Sequence, residues 1–285
     1  MGIIMAFATV NFFSKFLRRN VTFNIVLPTD KMLPPGAKVP EKKPFRTLYL
    51  LHGVFGNYTD WIRGTRVQSL ADARDLCVVM PSGDNKFYCD SDISGDLYGK
   101  FIGEELVEFT RDSFPLSRER EDTFIGGLSM GGFGAIVNGL RNPKTFGRIA
   151  AFSSALIKDH VLTSVDEPGR GIFTKTQYMT MFDLKSIEDF EGSINDYDAL
   201  AEKLAQSGEP LPHVYMACGE QDFLLPANHT YRDKLLSLGY DVTWESWTGG
   251  HDWKFWDEAI ERALQWLPLG EEVQGIHSGN VGNHP

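Results

Sequence analysis

The chain has 285 residues, 42% hydrophobic and 23% charged, the length and balance of one large α/β domain or two small ones. Its 38 acidic against 28 basic residues leave a net charge of −10, which argues against a nucleic-acid partner, because phosphate binding is driven by clustered Lys and Arg. The three cysteines, Cys77, Cys89 and Cys218, are odd in number and widely spaced, so neither a disulfide framework nor a metal site is indicated, and no apolar run is long enough to span a membrane.

The opening "MGIIMAFATVNFF" has the apolar bias of a signal segment. It lacks a basic start and is interrupted by Thr9 and Asn11, so it reads as uncleaved and the protein as cytoplasmic. "ATVNFFSKFL" and "NVTFNIVLP" are extended runs joined at Arg18-Arg19-Asn20, an antiparallel hairpin. After the Pro-rich connector "KMLPPGAKVPEKKP" the rhythm changes. "RTLYLLHG", "LCVVMPS", "DTFIGGLS", "RIAAFSS", "HVYMACG" and "VTWESW" are short apolar runs of the kind that form strands covered on both faces. Between them, "FIGEELVEFTRDSF", "MGGFGAIVNGLRN", "ANHTYRDKLLSLG" and "WKFWDEAIERALQWL" carry helical patterns, the third ending in Gly239 as a C-terminal cap. The alternation predicts a mainly parallel, doubly wound α/β sheet in a single domain, 1–285. From Leu156 to Pro212 no buried strand is evident, and this stretch reads as a cap-like insertion over the ligand-binding end of the sheet. Residues 269–285 are polar and Gly-rich, and read as a flexible tail.

In "FIGGLSMGGFGAI", Phe124 to Ile136, five glycines surround Ser129. A helix interior does not want them, since each costs about 0.5–1 kcal/mol relative to Ala. With a strand before it and a helix after it, Ser129 becomes the turn between them. Gly127 and Gly131 remove β-carbons that would collide, and Gly132 and Gly134 are expected to let the helix lie near the sheet. The hydroxyl is thereby raised above the C-terminal edge of the sheet, the arrangement of a G-x-S-x-G nucleophile elbow. The bland alternative is a Gly-rich packing turn with an idle serine.

A serine hydroxyl is a poor nucleophile without a base. Of the seven histidines, His251 in "WTGGHDWKFW" follows the last predicted strand on a Gly-rich loop that can reach Ser129. The carboxylate orienting it should follow the preceding strand. Asp222 in "HVYMACGEQDFLLP" fits, with Glu220 as the fallback. Two backbone N–H groups should face the developing oxyanion. Met130 supplies one, and Val54 in "LLHGVFGNYTDW" the other, with Phe55 the neighbouring candidate. His52, before Gly53, has a different position and a different job. Phe55, Tyr58, Trp61 and Trp253 are candidates for lining the substrate pocket, with core packing the competing reading of each.

"LYLLHGVFGNYTDWI", "FIGGLSMGGFGA", "ACGEQDFLLPAN" and "GGHDWKFWDEAI", in this order, resemble the esterase D-like family of α/β-hydrolases. That family includes S-formylglutathione hydrolases, bacterial tributyrin esterases, feruloyl esterases and the mycolyltransferases of the antigen 85 group. The opening hairpin looks most like the tributyrin esterase branch, and the resemblance covers roughly residues 6–268. It implies an α/β-hydrolase fold and a serine carboxylesterase acting on a small-molecule ester without metal or organic cofactor. The family's nucleophile, acid and base fall on Ser129, Asp222 and His251, and its oxyanion donors on Val54 and Met130. The negative charge of the chain disfavours strongly anionic substrates, leaving neutral short-chain esters, acetylated or feruloylated saccharides and aryl esters. The alternatives are a thioesterase of the S-formylglutathione type, and a binding protein or acyltransferase on the same scaffold. Homo-oligomerisation is left open.

Overall fold

The computed structural model describes residues 6–29, 43–167 and 169–272. The segment before Ala6, most of the Pro-rich connector and the end of the predicted tail lie outside the described residues.

The hairpin pairs β1 (Ala6–Ser14) with β2 (Arg19–Leu27), in register from Ala6 opposite Leu27 to Ser14 opposite Arg19. The turn is therefore residues 15–18, earlier than Arg18-Arg19-Asn20. The Ser14 hydroxyl closes it by accepting the Leu17 N–H at 3.0 Å, and Arg18 takes the left-handed conformation at φ 52°. Arg19 stays in the strand, where its guanidinium meets Asp96 at 2.6 Å and Asp84 at 3.2 Å.

The chain continues through β3 (Arg46–Leu51), α1 (Asp60–Gly64), α2 (Val67–Ala73) and β4 (Leu76–Pro81). A short antiparallel ribbon follows, β5 (Asp90–Ser91) with β6 (Asp96–Leu97). Then come α3 (Tyr98–Lys100), a π-helical turn at Phe101–Glu105 and α4 (Leu106–Ser113). The remaining strands are β7 (Thr123–Leu128), β8 (Arg148–Phe152), β9 (His213–Ala217) and β10 (Val242–Glu245). Among them lie α5 (Met130–Arg141), α6 (Lys158–Leu162), α7 (Lys175–Met181), α8 (Tyr197–Ser207) and α9 (Leu225–Ser237), with α10 (Trp253–Trp266) after the last strand.

Eight strands form one sheet in the order β1-β2-β4-β3-β7-β8-β9-β10. β1 and β2 are antiparallel, β2 is antiparallel to β4, and every other neighbouring pair is parallel. The predicted parallel strands are therefore all present. Both faces of the sheet are covered, which is why its strands read as continuous apolar runs. In β3, Tyr49 and Leu51 join the core beneath α4, α5 and α8, whereas Leu48 and Leu50 join the core beneath α2 and α10. Residues 156–212 contain α6, α7, a 3₁₀ turn at Ile187–Phe190 and α8, with no strand among the described residues. Phe182 from this segment packs edge-on to Phe87 at 5.3 Å and tilted against Phe133 of α5 at 5.8 Å. No helix of the described residues is long and apolar enough to cross a membrane.

The glycines around Ser129 answer to close approach of backbones. A β-carbon on Gly131 would stand 2.3 Å from the Leu51 carbonyl oxygen, and one on Gly127 would stand 2.5 Å from the Gly131 carbonyl oxygen. Gly134 has another reason than expected. Its β-carbon would meet the ring of Tyr88 at 2.4 Å, so it admits an aromatic side chain from the loop after β4 rather than the sheet. Gly132 likewise faces Ser154, and it is Gly139 that faces the strands, through Ile149 and Ile125. Gly131→Ala should lower the unfolding free energy by about 3 kcal/mol, the upper range for overpacking, since the obstacle is a backbone carbonyl that cannot rotate away. Denaturant unfolding of the purified variant measures this.

Candidate active site

Ser129 leaves β7 and opens α5 at φ 52°, ψ −117°. A non-glycine residue there carries strain of about 1–3 kcal/mol and persists only where its surroundings over-determine it. Here three backbone bonds do so. The Ser129 N–H donates to the Phe152 carbonyl at 2.9 Å, and the Ser129 carbonyl accepts from Ala155 at 2.9 Å and Phe133 at 3.1 Å. The residue is only 7% exposed.

The loops after β9 and β10 lie flush against each other. A β-carbon on Gly219 would fall 2.2 Å from the Gly249 carbonyl oxygen. Gln221 clasps the same residue, donating its N–H to the Gly249 carbonyl at 2.9 Å and accepting the Gly249 N–H on its side chain at 2.7 Å. This clasp brings Asp222 and His251 together. His251 Nδ1 lies 2.9 Å from Asp222 Oδ2, and His251 Nε2 lies 3.1 Å from Ser129 Oγ. With Asp222 ionised, Nδ1–H donates to the carboxylate and Nε2 is left to accept the serine hydroxyl. Glu220, the fallback acid, points elsewhere and accepts from the Thr248 hydroxyl at 3.1 Å.

The side chain of Asp222 is fully buried. Burial alone pushes its pKa up, but hydrogen bonds from His251, from the Leu224 N–H at 2.9 Å and from the Ser153 hydroxyl outweigh it and hold the carboxyl below the ordinary aspartate range. Ser153 also accepts the Trp256 indole N–H at 3.2 Å, and it sits at φ 44°. It is a buried support of the carboxylate that the sequence reading missed. The only trace in the sequence is the Ser-Ser pair ending "RIAAFSS".

The loop after β3 passes directly over the serine. A β-carbon on Gly53 would be 3.5 Å from Ser129 Cβ. Buried His52 ties this loop to the one after β4: its Nδ1 donates to the Gly53 carbonyl at 2.7 Å and its Nε2 accepts the Gly83 N–H at 2.8 Å. Burial lowers its pKa, in keeping with a neutral ring that accepts at Nε2. Phe55 is in the left-handed region at φ 65°, and its N–H is committed to Asn85 Oδ1 at 2.8 Å. That engagement leaves the Phe55 N–H no longer free to face Ser129. Met130 is the first residue of α5, where backbone N–H groups have no acceptor within the helix.

The aromatic candidates divide. Phe55 is 74% exposed at the site's margin. Trp61 does not line the site: it is 1% exposed, donates its indole N–H to the Leu51 carbonyl at 3.0 Å and packs on Phe152. Trp253 is also engaged in packing, edge-on to Trp61 at 5.7 Å and to Trp256 at 5.3 Å, with its ring where a side chain on Gly64 would be. It joins α10 to α1. Phe223, which the sequence reading passed over, stands with its ring 4.9 Å from the His251 imidazole. Its adjacency to Asp222 was the available signal. A cleft of about 580 Å³ lies away from these residues, between the ribbon, Arg141 at the far end of α5 and residues 182–194.

The family described as "Putative esterase" matches residues 14–267, and the chain belongs to it. It is 42% identical over 265 residues to an acetyl esterase of Caldicellulosiruptor saccharolyticus, an alignment covering 92% of this chain and 98% of that protein. Among solved structures it is similar to the fluorophosphonate-binding serine hydrolase FphF of Staphylococcus aureus, with 29% identity, a TM-score of 0.80 and 93% and 98% of the two chains covered. The S-formylglutathione hydrolase FrmB of the same organism follows at 28% identity and a TM-score of 0.77, covering 92% and 98%. The fold is that of the α/β-hydrolases.

Because the folded pKa of Asp222 is depressed, the stability it contributes is fully present above its unfolded value of about 3.9 and is lost as pH falls through the folded value. The difference in unfolding free energy between wild type and Asp222→Asn should be constant above about pH 5 and shrink below about pH 4. Urea titrations across that range measure it.

Proposed function

We propose that the protein is a serine carboxylesterase that cleaves short-chain acyl esters, acetyl esters foremost, through an acyl-enzyme on Ser129. The observation that carries this reading is the continuous hydrogen-bonded line from Ser129 Oγ through His251 to Asp222, at 3.1 and 2.9 Å, on a strained strand-to-helix turn. The acetyl esterase at 42% identity supports the acyl group.

His251 Nε2 takes the hydroxyl proton as Ser129 Oγ bonds to the ester carbonyl carbon. Asp222 keeps the ring in the Nδ1–H tautomer and stabilises the imidazolium. The N–H groups of Val54 and Met130 hold the oxyanion of the tetrahedral intermediate, where losing one donor typically costs about 100- to 1000-fold. As the intermediate collapses, the bond to the leaving oxygen breaks and His251 returns its proton to the departing alcohol. Water then attacks the acyl-enzyme by the same route, releasing the acid and restoring Ser129.

A thioesterase reading is favoured by the likeness to the S-formylglutathione hydrolase of Staphylococcus aureus. Both readings use the same residues, so a panel of 4-nitrophenyl acetate, butyrate and octanoate, methyl ferulate and S-formylglutathione separates them. Turnover of the short esters above the thioester supports the carboxylesterase, and the reverse order supports the thioesterase. Ser129→Ala should be inactive on whichever is used, with loss of about six orders of magnitude in kcat, and Asp222→Asn should lose about four. Mass spectrometry of quenched wild type should find one acyl group on the peptide containing Ser129. Activity of Ser129→Ala equal to wild type would sink both readings. Asn85→Ala, which frees the Phe55 N–H and loosens the oxyanion loop, should lower kcat about tenfold while leaving KM nearly unchanged.

A further inference from the structure

Two aromatic rings touch the His251 imidazole, and they differ in what else they do. Trp256 meets it edge-on at 4.9 Å, is buried in the core under α10 and spends its indole N–H on Ser153. Phe223 meets it at 4.9 Å with the planes 48° apart, belongs to neither hydrophobic core and is 69% exposed. Singly exposed apolar side chains are ordinary on a protein surface, so what sets Phe223 apart is its place against the His251 imidazole.

The chemistry says which part of a ligand arrives there. The leaving oxygen receives its proton from His251 Nε2, so it must come within hydrogen-bond reach of that nitrogen, about 3 Å. The group carried by that oxygen begins beside an imidazole whose ring centre is 4.9 Å from Phe223. The acyl group, bonded to Ser129, is held by the serine and the oxyanion donors instead. We propose that Phe223 is the specificity-determining platform for the alcohol half of the ester, and that it accepts a neutral six-membered ring, pyranose or aryl, on its exposed face. The inference rests on the esterase reading above. A neutral ring is favoured because Phe223 offers a flat apolar surface with no charge, on a chain whose net charge of −10 repels anions.

Three acetates that give the same acetyl-enzyme but release different alcohols test this: ethyl acetate, benzyl acetate and a mono-acetylated methyl xylopyranoside. Phe223→Ala should lose about tenfold in kcat/KM on the ring-bearing esters, carried by KM, and stay within about twofold on ethyl acetate. Phe223→Tyr should restore the ring esters. Which ring ester suffers more identifies the aryl or the saccharide source. An equal loss on all three acetates, or no loss on either ring ester, overturns the platform. Wild type inert on all three overturns the esterase reading and the platform together, so the two failures are distinguishable. Thermal melting of both variants checks that an exposed side chain was changed without unfolding the protein.

Discussion

The contact on which the site depends is one of backbone on backbone, where the start of α5 crosses the ends of β3 and β7. With 2.3 Å between the Leu51 carbonyl oxygen and the place a Gly131 β-carbon would take, no side chain fits there. That crossing lets the chain reverse within one residue, and Ser129 is the residue left at the apex with φ 52°. The strain is held by bonds from three neighbours, Phe152, Ala155 and Phe133, so the hydroxyl is aimed by the whole strand–turn–helix unit.

The remaining groups are brought to the same edge because the parallel strands all end there. The loop after β3 places Val54, the loop after β9 places Asp222 and the loop after β10 places His251. Loops alone would be too mobile for this task, and each is clasped to another. His52 joins the first to the loop after β4, and Gln221 joins the loops after β9 and β10. Electrostatics follow from the same packing. Asp222 is buried, yet donors from His251, Leu224 and Ser153 keep it ionised, which gives the imidazole a fixed negative partner away from water.

Much of this was legible in the chain. The parallel strands were found from their apolar runs, and the elbow from five glycines around one serine. Asp222 and His251 were chosen because each directly follows a strand, and the structure sets them 2.9 Å apart. A local pattern misleads where it has two physical causes. Trp61 follows Val54 by seven residues, but one helical turn carries its indole back under the sheet to the Leu51 carbonyl. A helix glycine such as Gly134 suggests close packing on the sheet, but its missing side chain makes room for Tyr88.

The sequence by itself determined the order of strands and helices, the position of the elbow and the types of side chain that follow each strand. These depend on periodicity and on backbone permissiveness, which are properties of neighbours along the chain. Tertiary structure decided which aromatic faces solvent and which fills the core, what takes the Phe55 N–H, and what holds Asp222 ionised. Those outcomes depend on groups far apart in sequence, such as Asn85 on Phe55 and Ser153 on Asp222, whose meeting is set by how two cores pack on one sheet.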